Sequence, residues 1–223
     1  MHPGINGPKF KDKPAIIMAG SGEVITHQEL NELSNQGAQL FRSLGLKPGD
    51  SLAFMMENHK LFFPIAFAAY RSGLKYTAIS WRLQPSEVEY IVSDCNAKVF
   101  ITSKFLEESA KSLSESLQGV HKFMLDGSTD DFKSFETEIS KMPVSAIDDE
   151  CQGAAMLYSS GTTGKPKGVS REINLSPLPY KAEDDDLGLT RVVQGLYSAN
   201  EDSIYLSPAP LYHSAPMLSL IHI

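Results

Sequence analysis

The chain has 223 residues, 42% of them hydrophobic, enough for one large domain or two small ones around a sizeable core. Its net charge of -7, with lysines scattered rather than clustered, excludes general affinity for nucleic acid. Cys95 and Cys151 lie far apart, outside any metal-ligand or disulfide spacing, which suits a reducing compartment and predicts buried, inert thiols. Residues 1–7 lack the charged and apolar regions of a secretory signal, and the apolar run from Leu61 to Ala69 contains Pro64 and is too short to cross a bilayer. A soluble, cytoplasmic protein without a transmembrane segment is expected.

In chain order, Ala15–Met18 and Glu23–Ile25 flank a glycine turn and predict a β-hairpin. Thr26 with Glu29 forms a capping box that starts a helix. Its apolar face is Leu30, Leu33, Gly37, Leu40, Phe41 and Leu44, and Gly45 stops it. Ser51–Met56 is a nearly continuous apolar run, as expected of a strand covered on both faces. Asn58 is placed to cap the next helix, which is apolar almost all round and ends at Gly73; Pro64 moves its start toward Phe62.

Strands are predicted at Tyr76–Ser80 and Lys98–Thr102, with a helix beginning near Pro85 between them. Strand and helix thus alternate as in right-handed βαβ crossovers, which build a mostly parallel sheet with flanking helices, an α/β fold. A polar helix from Phe105 to Leu117, a strand at Lys122–Leu125 and a short helix near Phe132–Ile139 follow. The expected organisation is a βαβ subdomain over 15–127, a polar connection over 128–150, and a phosphate-loop hairpin opening a second subdomain over 151–223. The acidic residues at 130–131 and 148–150 read as a solvated face rather than metal ligands. Residues 174–186 read as an exposed excursion, 187–198 as a helix, and Ser203–Ser207 as a buried strand.

The most informative stretch is Tyr158-Ser159-Ser160-Gly161-Thr162-Thr163-Gly164-Lys165-Pro166-Lys167-Gly168-Val169. Glycines allow close backbone approach to an anion, while successive N–H groups and hydroxyls can turn inward as a donor array. A Walker A loop is excluded, because Pro166 stands where the magnesium-binding hydroxyl would be and no helical run follows. Ala154–Tyr158 reads as a buried strand, so strand, glycine turn, strand is the expected local structure.

Residues 159–168, Ser-Ser-Gly-Thr-Thr-Gly-Lys-Pro-Lys-Gly, resemble the AMP-binding signature of the acyl-adenylate-forming superfamily. Pro210-Leu211-Tyr212-His213 resembles that superfamily's second signature. Ile79-Ser80-Trp81-Arg82-Leu83, with Glu87 to Asp94, is similar to the N-terminal region of fatty-acyl-CoA synthetases. One departure is Ser170-Arg171-Glu172, where many members carry a Ser/Thr-His pair. The resemblance implies part of the large N-terminal domain of an AMP-forming synthetase. Neither the later Tyr-Gly-x-Thr-Glu, nor the ribose-binding Asp, nor the C-terminal lysine is found, so a fragment without the C-terminal domain is expected.

The implied reaction is ATP-dependent activation of a carboxylic acid, a fatty acid by preference, as an acyl-adenylate, followed by transfer to CoA; Mg²⁺ accompanies the ATP. By resemblance, Ser159, Ser160, Gly161, Thr162, Thr163, Gly164, Lys165, Lys167 and Gly168 form the nucleotide-binding set. Thr163 and Lys167 act on the phosphates, Lys165 stands at a variable position that also reads as a solvated turn lysine, and His213 orients the carboxylate. Two alternatives remain open on sequence: a non-catalytic nucleotide-binding or interaction module, and an adenylation domain that loads a carrier protein.

Overall fold

The computed structural model describes residues 2–159, 166–170 and 200–214, together with 173, 195, 198 and 216. It opens with a helix that the sequence hides: α1 (Pro3–Lys9) holds two prolines and two glycines, the poorest helix formers. His2 compensates as its cap, with Nδ1 accepting the Gly4 N–H at 3.1 Å. β1 (Pro14–Ile17) and β2 (Val24–Thr26) pair antiparallel as a separate two-stranded sheet.

α2 (His27–Ser43) begins at the expected capping box, in which Thr26 Oγ1 accepts the Glu29 N–H and the Glu29 carboxylate accepts the Thr26 N–H. Its buried face includes Leu30, Gly37, Leu40 and Phe41, and Gly45 beyond it takes φ of 83°. A Cβ at Gly37 would stand 2.7 Å from that of Ala68, so this glycine sets how closely α2 meets α3 (Phe62–Arg71). α3 starts at Phe62, which puts Pro64 in the first turn, where its missing N–H costs nothing.

The main sheet is built from β3 (Ser51–Met55), β4 (Lys75–Ile79), β5 (Ala97–Ser103), β6 (His121–Leu125), β7 (Lys133–Ser134), β8 (Ala154–Ser159) and β9 (Lys167–Ser170). Their spatial order is β7-β6-β5-β3-β4-β8-β9, and every neighbouring pair is parallel except β8 with β9. β3 is buried at all five positions, as its unbroken apolar run requires. Alternate residues feed two cores. Leu52, Phe54, Val99, Ile101, Phe123 and Leu125 face α2, α3 and α6 (Phe135–Ile139). Ala53, Met55, Phe100 and Met124 face α4 (Pro85–Asp94) and α5 (Glu107–Leu113).

Several expectations change. The helix anticipated from Phe105 to Leu117 is a 3-10 turn at Lys104–Leu106 followed by the shorter α5. The polar stretch 128–150 does more than connect, since β7 extends the sheet and Phe132, Phe135 and Ile139 are buried. Its acidic end is paired rather than merely solvated: Arg42 meets Asp149 at 3.0 Å, and buried Arg71 meets Glu150 at 2.5 Å. Ser203–Ser207 is neither strand nor buried, with Ile204 87% and Leu206 74% exposed; an apolar run becomes a strand only beside a partner, and no strand pairs with it among the described residues. The helix expected over 187–198 and the excursion over 174–186 fall almost wholly outside the described residues. Both cysteines are free and buried, and desolvation raises the thiol pKa of each.

Gly153 is where the chain turns into β8. A Cβ there would lie 2.3 Å from the Leu74 carbonyl oxygen, which accepts the Ala154 N–H, so the obstacle is backbone that cannot step aside. Gly153→Ala is expected to destabilise the fold by about 1–3 kcal/mol, read as a lower urea midpoint with unchanged slope.

Burial, and then the charge of Arg71, holds the His2 imidazole down to about 3 from its ordinary 6.5. An undocked His2 takes a proton near 6.5 while the docked one resists, so its support of α1 is complete above that pH and fades as pH falls toward 3. Chemical shifts of α1 should therefore move toward coil values between pH 7 and pH 4, and His2→Phe should flatten the change.

Candidate active site

In open parallel sheets, ligands collect beyond the carboxyl ends of the strands, where successive crossovers leave in opposite directions. Here β3 sends its crossover to β4 on one side and β5 sends its own to β6 on the other, so the crevice lies off Met55 and Ser103. The residues just past β3 fill it. Glu57 accepts the Ser103 hydroxyl at 2.6 Å. His59 Nδ1 accepts the Leu61 N–H at 3.1 Å, which leaves Nε2 to donate to Asp126 at 3.0 Å.

Asn58 does not cap α3, whose N-terminus has no side-chain cap. Its amide instead reads another part of the backbone: Nδ2 donates to the Ala209 carbonyl at 3.2 Å, and Oδ1 accepts the Leu211 N–H at 2.9 Å. Leu211 is buried in the core beside it. This clamp brings Pro210-Leu211-Tyr212-His213 to the strand ends. His213 is exposed, its N–H is bonded to the Pro210 carbonyl, and its ring lies 4.5 Å from that of Tyr212 at 51°. Nothing in the sequence pattern marks Asn58 for this role, because its partner is 153 residues away.

β8 ends at the same edge. It runs parallel to β4, with Lys75 opposite Ala154 and Tyr76 opposite Ala155, and returns as β9 in the register Met156↔Ser170, Leu157↔Val169, Tyr158↔Gly168 and Ser159↔Lys167. The two expected strands thus flank the glycine-rich stretch, while the turn expected between them lies outside the described residues. Of the expected nucleotide-binding set, Ser160, Gly161, Thr162, Thr163, Gly164 and Lys165 lie outside the described residues, while Ser159, Lys167 and Gly168 form the base of the hairpin. Lys167 is exposed. Gly168 is needed for packing, since a Cβ there would stand 2.4 Å from Met156 Cε and 2.9 Å from the Tyr158 ring.

A cavity of about 400 Å³ lies at the opposite edge, where strands begin, lined by His2, Asn31, Asn35, Arg71 and Glu150 among others. Its polar walls serve the Arg71–Glu150 pair. Among the described residues no group of three His, Cys, Asp or Glu side chains is arranged to hold a metal ion, and no helix is long and apolar enough to cross a membrane.

Residues 6–222 match the family model for AMP-binding enzymes. The chain belongs to that family. Relatives include a fatty acid–[acyl-carrier-protein] ligase of Streptomyces coeruleorubidus, 28% identical over 70% of this chain and 29% of its own length. A feruloyl-CoA synthase of an Amycolatopsis species is 30% identical over 70% of this chain and 30% of its own length. An oxalate–CoA ligase of Arabidopsis thaliana is 26% identical over 95% and 40% respectively. In structure, a long-chain-fatty-acid CoA ligase from Rhodopseudomonas palustris superposes with a TM-score of 0.82 at 18% identity, covering 99% of this chain and 53% of that one. The chain thus spans well under half the length of these curated relatives, and the fold is that of the N-terminal domain of AMP-forming ligases.

Removing the clamp should free the second signature without unfolding the sheet. In Asn58→Ala, the amides of Leu211, Tyr212 and His213 are expected to lose about tenfold in hydrogen-exchange protection, from two lost hydrogen bonds, while β3 stays unchanged.

Proposed function

We propose that this chain grips the triphosphate of ATP in the 159–168 loop and serves the activation of a carboxylic acid, a fatty acid by preference, as an acyl-adenylate that is passed to CoA. The observation that carries this reading is the β8–β9 register, which opens the loop between Ser159 and Lys167 at the edge where the parallel strands end. Family membership and the ligases among the relatives support it.

In the first step a carboxylate oxygen attacks the α-phosphorus, forming one P–O bond as the bond to pyrophosphate breaks. In the second, a thiol sulfur takes the acyl carbon, AMP leaves and the thiol proton is released. Both partners of the first step are anions, so fixed donors around the phosphates are what lower its barrier. That task falls to the amides and hydroxyls of Ser159, Ser160, Gly161, Thr162, Thr163 and Gly164, with Lys167 as counter-charge. Gly168 keeps the hairpin base narrow, Lys165 contributes charge from the turn, and His213 orients the carboxylate.

Mg²⁺, when bound with the nucleotide, would neutralise phosphate charge. Among the described residues no group of three His, Cys, Asp or Glu side chains is arranged to hold it. A second reading, in which the acyl group passes to a carrier protein, is favoured by the carrier-protein ligase among the relatives.

Calorimetry of residues 1–223 with ATP and Mg²⁺ tests the proposal. Saturable binding is expected, weakened about tenfold or more in Thr163→Ala and in Lys167→Ala, the loss typical of a hydrogen bond to a charged group. Little or no CoA thioester is expected from these residues alone. Absence of nucleotide binding by the unsubstituted chain would overturn the reading.

A further inference from the structure

α4 reaches across to the loop hairpin with two side chains one helical turn apart. The Tyr158 hydroxyl on β8 donates to Asp94 Oδ2 at 2.5 Å. The Tyr90 hydroxyl lies 3.3 Å from the carbonyl of Pro166, the last residue before β9, and 3.5 Å from Asp94 Oδ1. A phenol has one proton to donate, and the shorter contact assigns it to Pro166. The descending arm of the loop is therefore held by Tyr90 and the ascending arm, through Tyr158, by Asp94.

Gly168 completes the device. Tyr158 and Gly168 face each other across the hairpin, and a Cβ on Gly168 would stand 3.0 Å from the Tyr158 hydroxyl and 2.9 Å from its ring. The bare glycine lets the tyrosine lie over β9 and point its hydroxyl at α4. Desolvation first, and then the bond to Asp94, raises the Tyr158 pKa, so the hydroxyl stays a donor.

We infer that Tyr90 and Asp94 are positioning residues for the base of the phosphate loop: together they fix both arms of the β8–β9 hairpin, at Tyr158 and Pro166, to α4. This rests on the reading of that loop as the phosphate grip, but the tether has its own readout. Trypsin resists the Lys165–Pro166 bond and cuts after Lys167, inside β9, when the hairpin opens, so the cutting rate follows the open population.

On the 223-residue chain, Tyr90→Phe should speed cleavage after Lys167 about fivefold, the worth of one neutral hydrogen bond. Asp94→Ala should speed it about tenfold, because its bond is charge-assisted. Asp94→Asn, which keeps an acceptor, should stay closer to the unsubstituted rate. Cleavage after Lys111 on α5 should be unchanged throughout. Because the open form is a small minority in both chains, the concentration of ATP with Mg²⁺ that half-protects Lys167 should change less than about twofold in Tyr90→Phe, and the tether is read in the cleavage rate.

An unchanged rate at Lys167 in Tyr90→Phe, or equal acceleration at Lys111, would overturn the tether. If ATP protects Lys167 in no variant, including the unsubstituted chain, the phosphate reading falls while a cleavage difference confined to Lys167 still upholds the tether.

Discussion

Two backbone pairings, Lys75 with Ala154 and Tyr76 with Ala155, fix where β8 stands in the sheet and thereby where the glycine-rich loop leaves it. They exist because Gly153 passes the Leu74 carbonyl at a distance no side chain permits. From this point the geometry follows in order: β8 runs alongside β4, its last residue reaches the carboxyl edge, and the chain folds back as β9. A loop that binds anions through backbone amides is useful only if both ends are fixed, and the ladder supplies the first of those ends.

The opposite side of the crevice is fixed by a different physics. Asn58 spends both halves of its amide on the backbone of residues 209 and 211, as a neighbouring strand would, and Leu211 drops into the core beside it. One polar side chain thus does for the aromatic-histidine segment what a hydrogen-bond ladder does for the loop. The two signature segments are more than forty residues apart in the chain, yet each is referred to the same rigid reference, the ends of β3, β4 and β8.

Local chemistry was legible in advance wherever it was self-contained. The capping box at Thr26 and Glu29, the unbroken apolar run of β3 and the shift of the α3 start imposed by Pro64 each depend on neighbours within a few residues. So does the alternation that yields a parallel sheet. What escaped depends on distant contacts. α1 contradicts its own propensities and persists by packing on α2 and by the His2 cap. Asn58 reads as a helix cap because its true partner cannot be seen from its surroundings. Tyr90 and Asp94 look like ordinary polar positions on an amphipathic helix, and only the placement of the hairpin gives them partners. Ser203–Ser207 has the composition of a strand, and no strand pairs with it among the described residues.

β9 ends the sheet among the described residues, with all four of its positions exposed, Val169 at 63%. An outermost strand turns one row of peptide donors and acceptors away from the sheet, toward any extended chain that approaches it. Lys167 at its head is the ordinary deterrent, since a second copy docking there would have to bring like charges together and strip their water. The residue proposed as the phosphate's counter-charge therefore also guards the molecule's margin, and a variant that neutralises it gives up colloidal solubility at that edge.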